Sequence, residues 1–328
     1  CGAVLMYMMY QAGDFTTFYP YVLGYMIAYM PTLALVNSVA FGQMTNPSKE
    51  FGKIRVWGTV GWIVAGLLIS YVFSWDSTSA IADGMLRNTF MLCAIASLAL
   101  GIFSFTLPAT PPKAAGQETG LRDVLGLDAL ALLKDKNFFI FFLSSVLICI
   151  PLAFYYQNAN PFLTEIGVEN ATGKMTLGQV SEVLFMLALP VFLNKFGIKA
   201  TLLIGMAAWV LRYALFAFGN ADEGLFMLIV GIALHGICYD FFFVSGQIYT
   251  DAKAGERIKS AAQGLITLAT YGVGMLIGFA VAGKITDEYT TATSHSWQDI
   301  WLFPAGFAAV VLIIFLMLFK SEKVSTNA

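Results

Sequence analysis

Two carboxylates stand where carboxylates are costly. Glu182 lies in GQVSEVLFMLALP and Asp240 in GIALHGICYDFFFVSG, both inside apolar runs, while the other eighteen of the 20 acidic residues fall in loops or near the ends of such runs. A carboxylate in hydrocarbon costs about 3 kcal/mol on insertion scales, so each should face a bundle interior or a water-filled cavity. There it can exchange a proton near neutral pH, which is what a proton-coupled carrier requires.

Helical spacing gives the acids neighbours. Gln179 and Glu182 are three apart, and His235 with Tyr239, like Gly236 with Asp240, four apart, so each pair shares a helix face. Arg55, Thr59 and Trp62 follow at i, i+4 and i+7, and Gln263, Thr267 and Thr270 form a fourth stripe. Four helices thus offer polar faces to a shared interior. His235 reads equally as a proton relay or as a hydrogen-bonded helix contact. Arg212, also inside an apolar run, reads as structural, pairing with an acid or reaching the outer interface. The rival account of both acids is an ion pair with Arg212 or Arg55 that only fastens helices together. Trp62, Tyr239 and Phe243 offer faces for stacking, and the amide, hydroxyl and carboxylate groups could bind a sugar, a nucleoside or a similar polar neutral solute.

The elements that must position these residues follow from composition. The 328 residues are 58% hydrophobic and 12% charged, against about 25% charged for a soluble domain. Apolar stretches near 16–43, 54–74, 86–107, 138–158, 175–193, 199–218, 225–249, 260–283 and 299–319 are each long enough to cross a bilayer as a helix, and residues 2–10 read as the end of another. The chain opens at Cys1 inside an apolar run, which reads as an N-terminal truncation. Pro31, Pro151 and Pro190 inside spans fit helices that bend.

Fourteen of the 18 basic residues fall on alternate loops, which are therefore expected to be cytoplasmic. The expected division is a remainder of an N-terminal bundle over 1–107, a cytoplasmic linker with a possible interfacial helix over 108–136, a six-helix bundle over 137–320 and a cytoplasmic tail over 321–328. In the linker, Leu121, Val124, Leu125 and Leu132 supply the apolar face of that helix. Gly274, Gly278 and Ala282 have small-xxx-small spacing within a span and predict close helix packing.

Other chemistries find no support. Cys1, Cys93, Cys149 and Cys238 lack metal or disulfide spacing, there is no HExxH or GxSxG, and no basic stripe suggests nucleic acid. An intramembrane enzyme is therefore not expected, nor is any cofactor or metal. A sensor that binds its solute without moving it would be expected to carry an output domain, and only KSEKVSTNA follows the last span.

Several segments in order, IRVWGTVGW, GLDALALLKDKN, SEVLFMLALPVFLNKFGIK, AWVLRYALFAFG, YDFFFVSG, SAAQGL and WQDIWLFPAG, resemble the nucleoside:proton symporter family of the major facilitator superfamily. The resemblance implies a twelve-span permease of the bacterial inner membrane, of which about nine complete helices are present, taking up nucleosides with protons by alternating access between two bundles. It further implies a monomer in the lipid bilayer whose substrate contacts are Arg55, Thr59, Trp62, Gln179, Glu182, His235, Tyr239 and Asp240, with Asp240 and Glu182 carrying proton coupling. His235 stands where the family leads one to expect tyrosine, and Trp62 where phenylalanine is expected. A glutamine and asparagine pair expected in the 138–158 span is replaced by PLAFYYQNANPFL, with Tyr155, Tyr156, Gln157 and Asn160 as substitutes. A carrier of the same fold for another polar solute, such as a sugar, is the nearest alternative.

Overall fold

The computed structural model describes residues 1–43, 47–109 and 126–321, with a few further side chains, among them that of Arg55, outside the description. Leu121, Val124 and Leu125 of the expected interfacial helix also lie outside the described residues. Leu132 belongs to a run of 3-10 helix, Leu127–Lys134, that leads into the first long helix of the second half. Among the described residues the secondary structure is helical apart from one isolated bridge between Thr290 and His295.

The chain divides into two compact units, Cys1–Gln117 and Glu118–Ala328. Unit 1 holds α1 (Gly2–Gln11), α2 (Phe15–Gln43), α3 (Pro47–Leu67), the short α4 (Thr78–Ala82) and α5 (Asn88–Ser104). Unit 2 holds α6 (Lys136–Glu165), α7 (Ala171–Phe218), α8 (Leu225–Ala233), α9 (His235–Tyr239), α10 (Ser245–Thr267), α11 (Met275–Glu288) and α12 (Trp297–Leu318). Short π-helical turns at Asp240–Val244 and Leu268–Gly274 join α9 to α10 and α10 to α11.

Six helical stretches among the described residues are long and apolar enough to cross a membrane: Met85–Ser104, Lys136–Glu165, Ala171–Phe218, Leu225–Ala254, Ala261–Glu288 and Trp297–Leu318. The expected spans at 175–193 and 199–218 form one 48-residue element that breaks at Gly197, where φ is 74° and ψ 174°. That backbone conformation is open to glycine at little cost, so the chain turns within a single residue and hydrogen bonding resumes at once on the far side.

Polarity in unit 2 is inverted relative to a soluble protein. Leu187, Leu276 and Met317 are 74%, 75% and 69% exposed, while Arg212 and Asp240 are both 0% exposed. Apolar side chains can face acyl chains at no cost, whereas an ionisable group in lipid must turn inward. The interior is largely aromatic, with Phe162, Phe216, Tyr213 and Trp301 packed together and Phe138, Phe141, Phe242 and Tyr249 forming a second cluster.

Helices approach closely where side chains are small. A Cβ on Gly274 would sit 2.8 Å from Cys149 Cβ, and one on Gly278 2.7 Å from Ala153 Cβ and 2.9 Å from the Cys149 carbonyl oxygen. The glycine spacing therefore acts as its pattern predicted, seating α11 on α6. Both ends of unit 2 are fastened by polar contacts. At one, Asp135 caps α6, accepting from the Asn137 and Phe138 amides at 2.9 Å each, and meets Lys253 Nζ at 3.0 Å. At the other, His295 Nδ1 lies 2.6 Å from Glu165 Oε2, and Asn158 donates to Thr286 Oγ1 at 3.0 Å.

Candidate functional site

The two acids reach the interior on different helices. Glu182 lies on the first limb of α7, and Asp240 opens the π turn after α9. What brings α9 onto α7 is the absence of side-chain bulk. A Cβ on Gly236 would fall 2.4 Å from the Ser181 carbonyl carbon and 2.6 Å from the Glu182 amide nitrogen, and one on Gly178 3.1 Å from His235 Cβ. Ser181 Oγ completes the crossing by donating to the Ala233 carbonyl. The next helical positions are thereby forced together.

His235 occupies that junction and is 4% exposed. Its Nε2 lies 3.9 Å from Glu182 Oε2, and its Nδ1 lies 2.9 Å from an Nη of Arg212. The Arg212 guanidinium is stacked 3.6 Å from the centroid of the Tyr155 ring, on which the imidazole also lies, with ring centroids 5.4 Å apart. Such a cation over an aromatic face is strongly favoured once both are out of water. Arg212 thus neither reaches an outer interface nor stands apart from the acids; it touches the residue that faces Glu182.

An aromatic row extends along the same side. Tyr239 follows His235 at 5.8 Å between centroids, Phe243 follows Tyr239 at 5.3 Å, and Tyr239 Oη lies 2.5 Å from Tyr271 Oη. Glu182 keeps 12% of its side-chain surface and Gln179 is half-buried on the same face. Asp240 is wholly buried, and its neighbours Phe241 and Phe242 pack on Phe192 of α7 and Phe141 of α6. Single-turn π segments often coincide with functional positions in helices.

The structure therefore brings Glu182, His235 and Tyr239 together in unit 2, with Gln179 three residues before Glu182 on the same helix and Asp240 one residue beyond Tyr239. In unit 1, Thr59 is buried and Trp62 is 71% exposed on α3, and the Arg55 side chain lies outside the description. In the fourth expected stripe the two threonines bond to the turn before them, Thr267 donating to the Gln263 carbonyl at 2.8 Å and Thr270 to that of Ile266 at 2.7 Å, while Gln263 Nε2 donates to the Gln247 carbonyl at 2.8 Å, sixteen residues away. Asn160 donates to Thr172 Oγ1 at 3.0 Å, tying α6 to α7.

One residue and one contact escaped sequence reasoning. Tyr271 stands four residues after Thr267, a spacing visible in the sequence once that stripe is extended. The link from Arg212 to His235 spans 23 residues and two helices, and no local pattern announces it.

The chain matches solved carriers along nearly its whole length. The crystal structure of the nucleoside transporter NupG superposes with a TM-score of 0.81 over 98% of this chain and 81% of that one, at 31% identity. The Escherichia coli fucose:proton symporter FucP superposes with a TM-score of 0.52 over 98% of this chain, at 15% identity, a likeness of fold alone. Fold and buried acids together define a multi-pass membrane carrier of the major facilitator type.

The family model described as nucleoside H+ symporter matches residues 1–324. YegT of Escherichia coli (strain K12) is 44% identical over 98% of this chain and 77% of its own length, and the nucleoside permease NupG of the same organism 32% identical over 98% and 79%. The chain belongs to the nucleoside H+ symporter family: it is a proton-coupled nucleoside transporter and not an enzyme.

Proposed function

We propose that Glu182 and Asp240 are the proton-coupling groups of this symporter, and that Gln179, Glu182, His235, Tyr239 and Asp240 contact the nucleoside, with Arg55, Thr59 and Trp62 adding contacts from unit 1. The observation that carries this reading is the crossing of α9 on α7, which places an imidazole 3.9 Å from a carboxylate inside an apolar helical unit. Carboxylate and imidazole groups held there can hydrogen-bond ribose hydroxyls, and the row Tyr239, Phe243 and Tyr271 offers ring faces to a base.

Coupling follows from the energetics of burial. An ionised Asp240 with no exposed surface is unfavourable unless a partner or a proton neutralises it. Loading substrate and proton together produces an interior that can reorient, and loading one alone leaves a charge or an unmatched polar group in the low-dielectric path. The same reading takes nine spans in the chain, places it in the bacterial inner membrane with the Lys-rich loops, the linker and the C-terminus cytoplasmic, and has it work as a monomer with no cofactor besides the coupling proton.

The test is uptake. Cells making the full-length protein should accumulate labelled uridine or adenosine, and a protonophore should abolish accumulation while leaving nucleoside exchange. Accumulation indifferent to the proton gradient would remove the coupling roles assigned to Glu182 and Asp240.

A further inference from the structure

The guanidinium of Arg212 has no role in the reading above, yet it is 0% exposed and aimed at His235. Its position constrains the imidazole. A guanidinium carries only N–H donors and stays protonated in proteins, so a ring nitrogen 2.9 Å from it must accept. Acceptance at Nδ1 leaves the single ring proton of a neutral imidazole on Nε2, the atom that faces Glu182 Oε2 at 3.9 Å.

We propose that Arg212 is a positioning residue that holds His235 as the neutral Nε2–H tautomer, so that His235 presents a permanent donor beside the Glu182 carboxylate and does not itself carry the transported proton. This rests on the nucleoside reading of the site but concerns the state of one ring. The groups facing that ring are Arg212 and Glu182 from α7, Tyr155 from α6 and Tyr239 from its own helix. Protonating Nδ1 would set one N–H against another beside a fixed cation. Glu182 is the countercharge that favours a second proton, and at 3.9 Å it lies farther from the ring than Arg212. Tyr155 fixes the plane, since both guanidinium and imidazole lie on its face.

The consequence for binding is specific. A fixed N–H donor beside a carboxylate acceptor matches a hydroxyl, which can accept from the first and donate to the second. A ring that switched tautomers would present the matching pattern only part of the time.

The 328 residues hold two histidines, and a background in which His295 and any further histidine of the full-length protein are replaced by glutamine leaves His235 as the one imidazole to observe. In the full-length protein labelled with 15N-histidine and held in lipid nanodiscs, His235 should show the neutral Nε2–H pattern throughout about pH 5 to 8, where an imidazole ordinarily titrates. An imidazolium signal in that window, or the Nδ1–H pattern, would overturn the proposal. Arg212→Met should release the ring to titrate and raise the KM for nucleoside exchange about tenfold, the effect of one misplaced hydrogen bond, with kcat changed less than threefold.

Arg212→Lys keeps one cationic donor and should restore the wild-type spectrum. If Arg212→Met does not fold, a pair of variants at His235 decides, because a glutamine amide can accept from Arg212 and still donate whereas a phenyl ring can do neither; KM for His235→Phe should exceed that for His235→Gln about tenfold. Equal KM values for these two variants would sink the positioning role. Absence of nucleoside exchange by the wild type would remove the transport reading and leave the spectra to decide the tautomer alone.

Discussion

At the scale of single residues, the chemistry of this transporter rests on groups that lipid would reject. Asp240 is fully buried at the start of a π turn, and Glu182 keeps a small exposed edge opposite His235. If Asp240 is a coupling group, Asp240→Asn should still fold, because the amide keeps the shape of the carboxyl group and removes only its ability to exchange a proton. The same variant should lose concentrative uptake while keeping nucleoside exchange. Parallel thermal unfolding in detergent and uptake in proteoliposomes would check this, and a stable variant that still concentrates substrate would return Asp240 to a fastening role. Sequence alone singled out both acids and the i, i+4 relation of His235 to Tyr239. It left His235 between relay and contact, because which of its nitrogens accepts depends on Arg212, on another helix.

At the scale of elements, the site exists because helices cross where bulk is missing. Gly236→Ala would put a methyl group 2.4 Å from backbone carbon of Ser181, a clash that only movement of α9 from α7 can relieve. The expected loss is about 1 to 3 kcal/mol, with weakened substrate affinity because Glu182 and His235 separate. Gly306→Ala on α12 is the control. Nothing lies within 4 Å of a Cβ there, so the change should be neutral or stabilising by up to about 1 kcal/mol. Differential scanning fluorimetry on the two variants distinguishes them.

The cap of α6 gives a pH-dependent counterpart. The backbone N–H of Phe138, helped by Lys253 and opposed by partial burial, holds the Asp135 carboxyl below the usual carboxylate range. A group lowered in this way stabilises the fold fully above its unfolded value of about 3.9, and the contribution disappears as pH falls through the lower folded value. Asp135→Asn, which can still cap, should therefore lose less thermal stability than the wild type between about pH 6 and 3. Asp135→Ala should cost about 1 kcal/mol at neutral pH.

At the scale of the whole molecule, the pattern of basic residues makes a topological prediction. Lys199, Lys253 and Lys320 all meet polar groups at the Asp135 end of unit 2, with Lys199 donating to the Leu316 carbonyl at 3.0 Å and the Lys320 amide to Asn137 Oδ1 at 2.8 Å. The Glu165 and His295 contact marks the other end. If the Lys-rich end is cytoplasmic, a cysteine replacing His295 in a cysteine-free background should react with an impermeant maleimide on intact cells, and one replacing Lys320 only after lysis. The reverse pattern would invert the orientation.

The sequence by itself determined that the chain lives in a membrane, roughly where its helices run, and which ionisable residues stand inside its apolar runs. These are local properties, set by the energy of moving each side chain or peptide group out of water, and composition and helical period report them directly. The 48-residue α7 shows the limit. Its two spans were legible, but not that helix would continue up to Gly197 and resume beyond it. The tertiary structure alone decided that Gly236 would meet Ser181, that Tyr271 would meet Tyr239, and that Arg212 would reach His235 over Tyr155. Each is a contact between helices whose register depends on the packing of every residue along the seam, so no short stretch of sequence contains it.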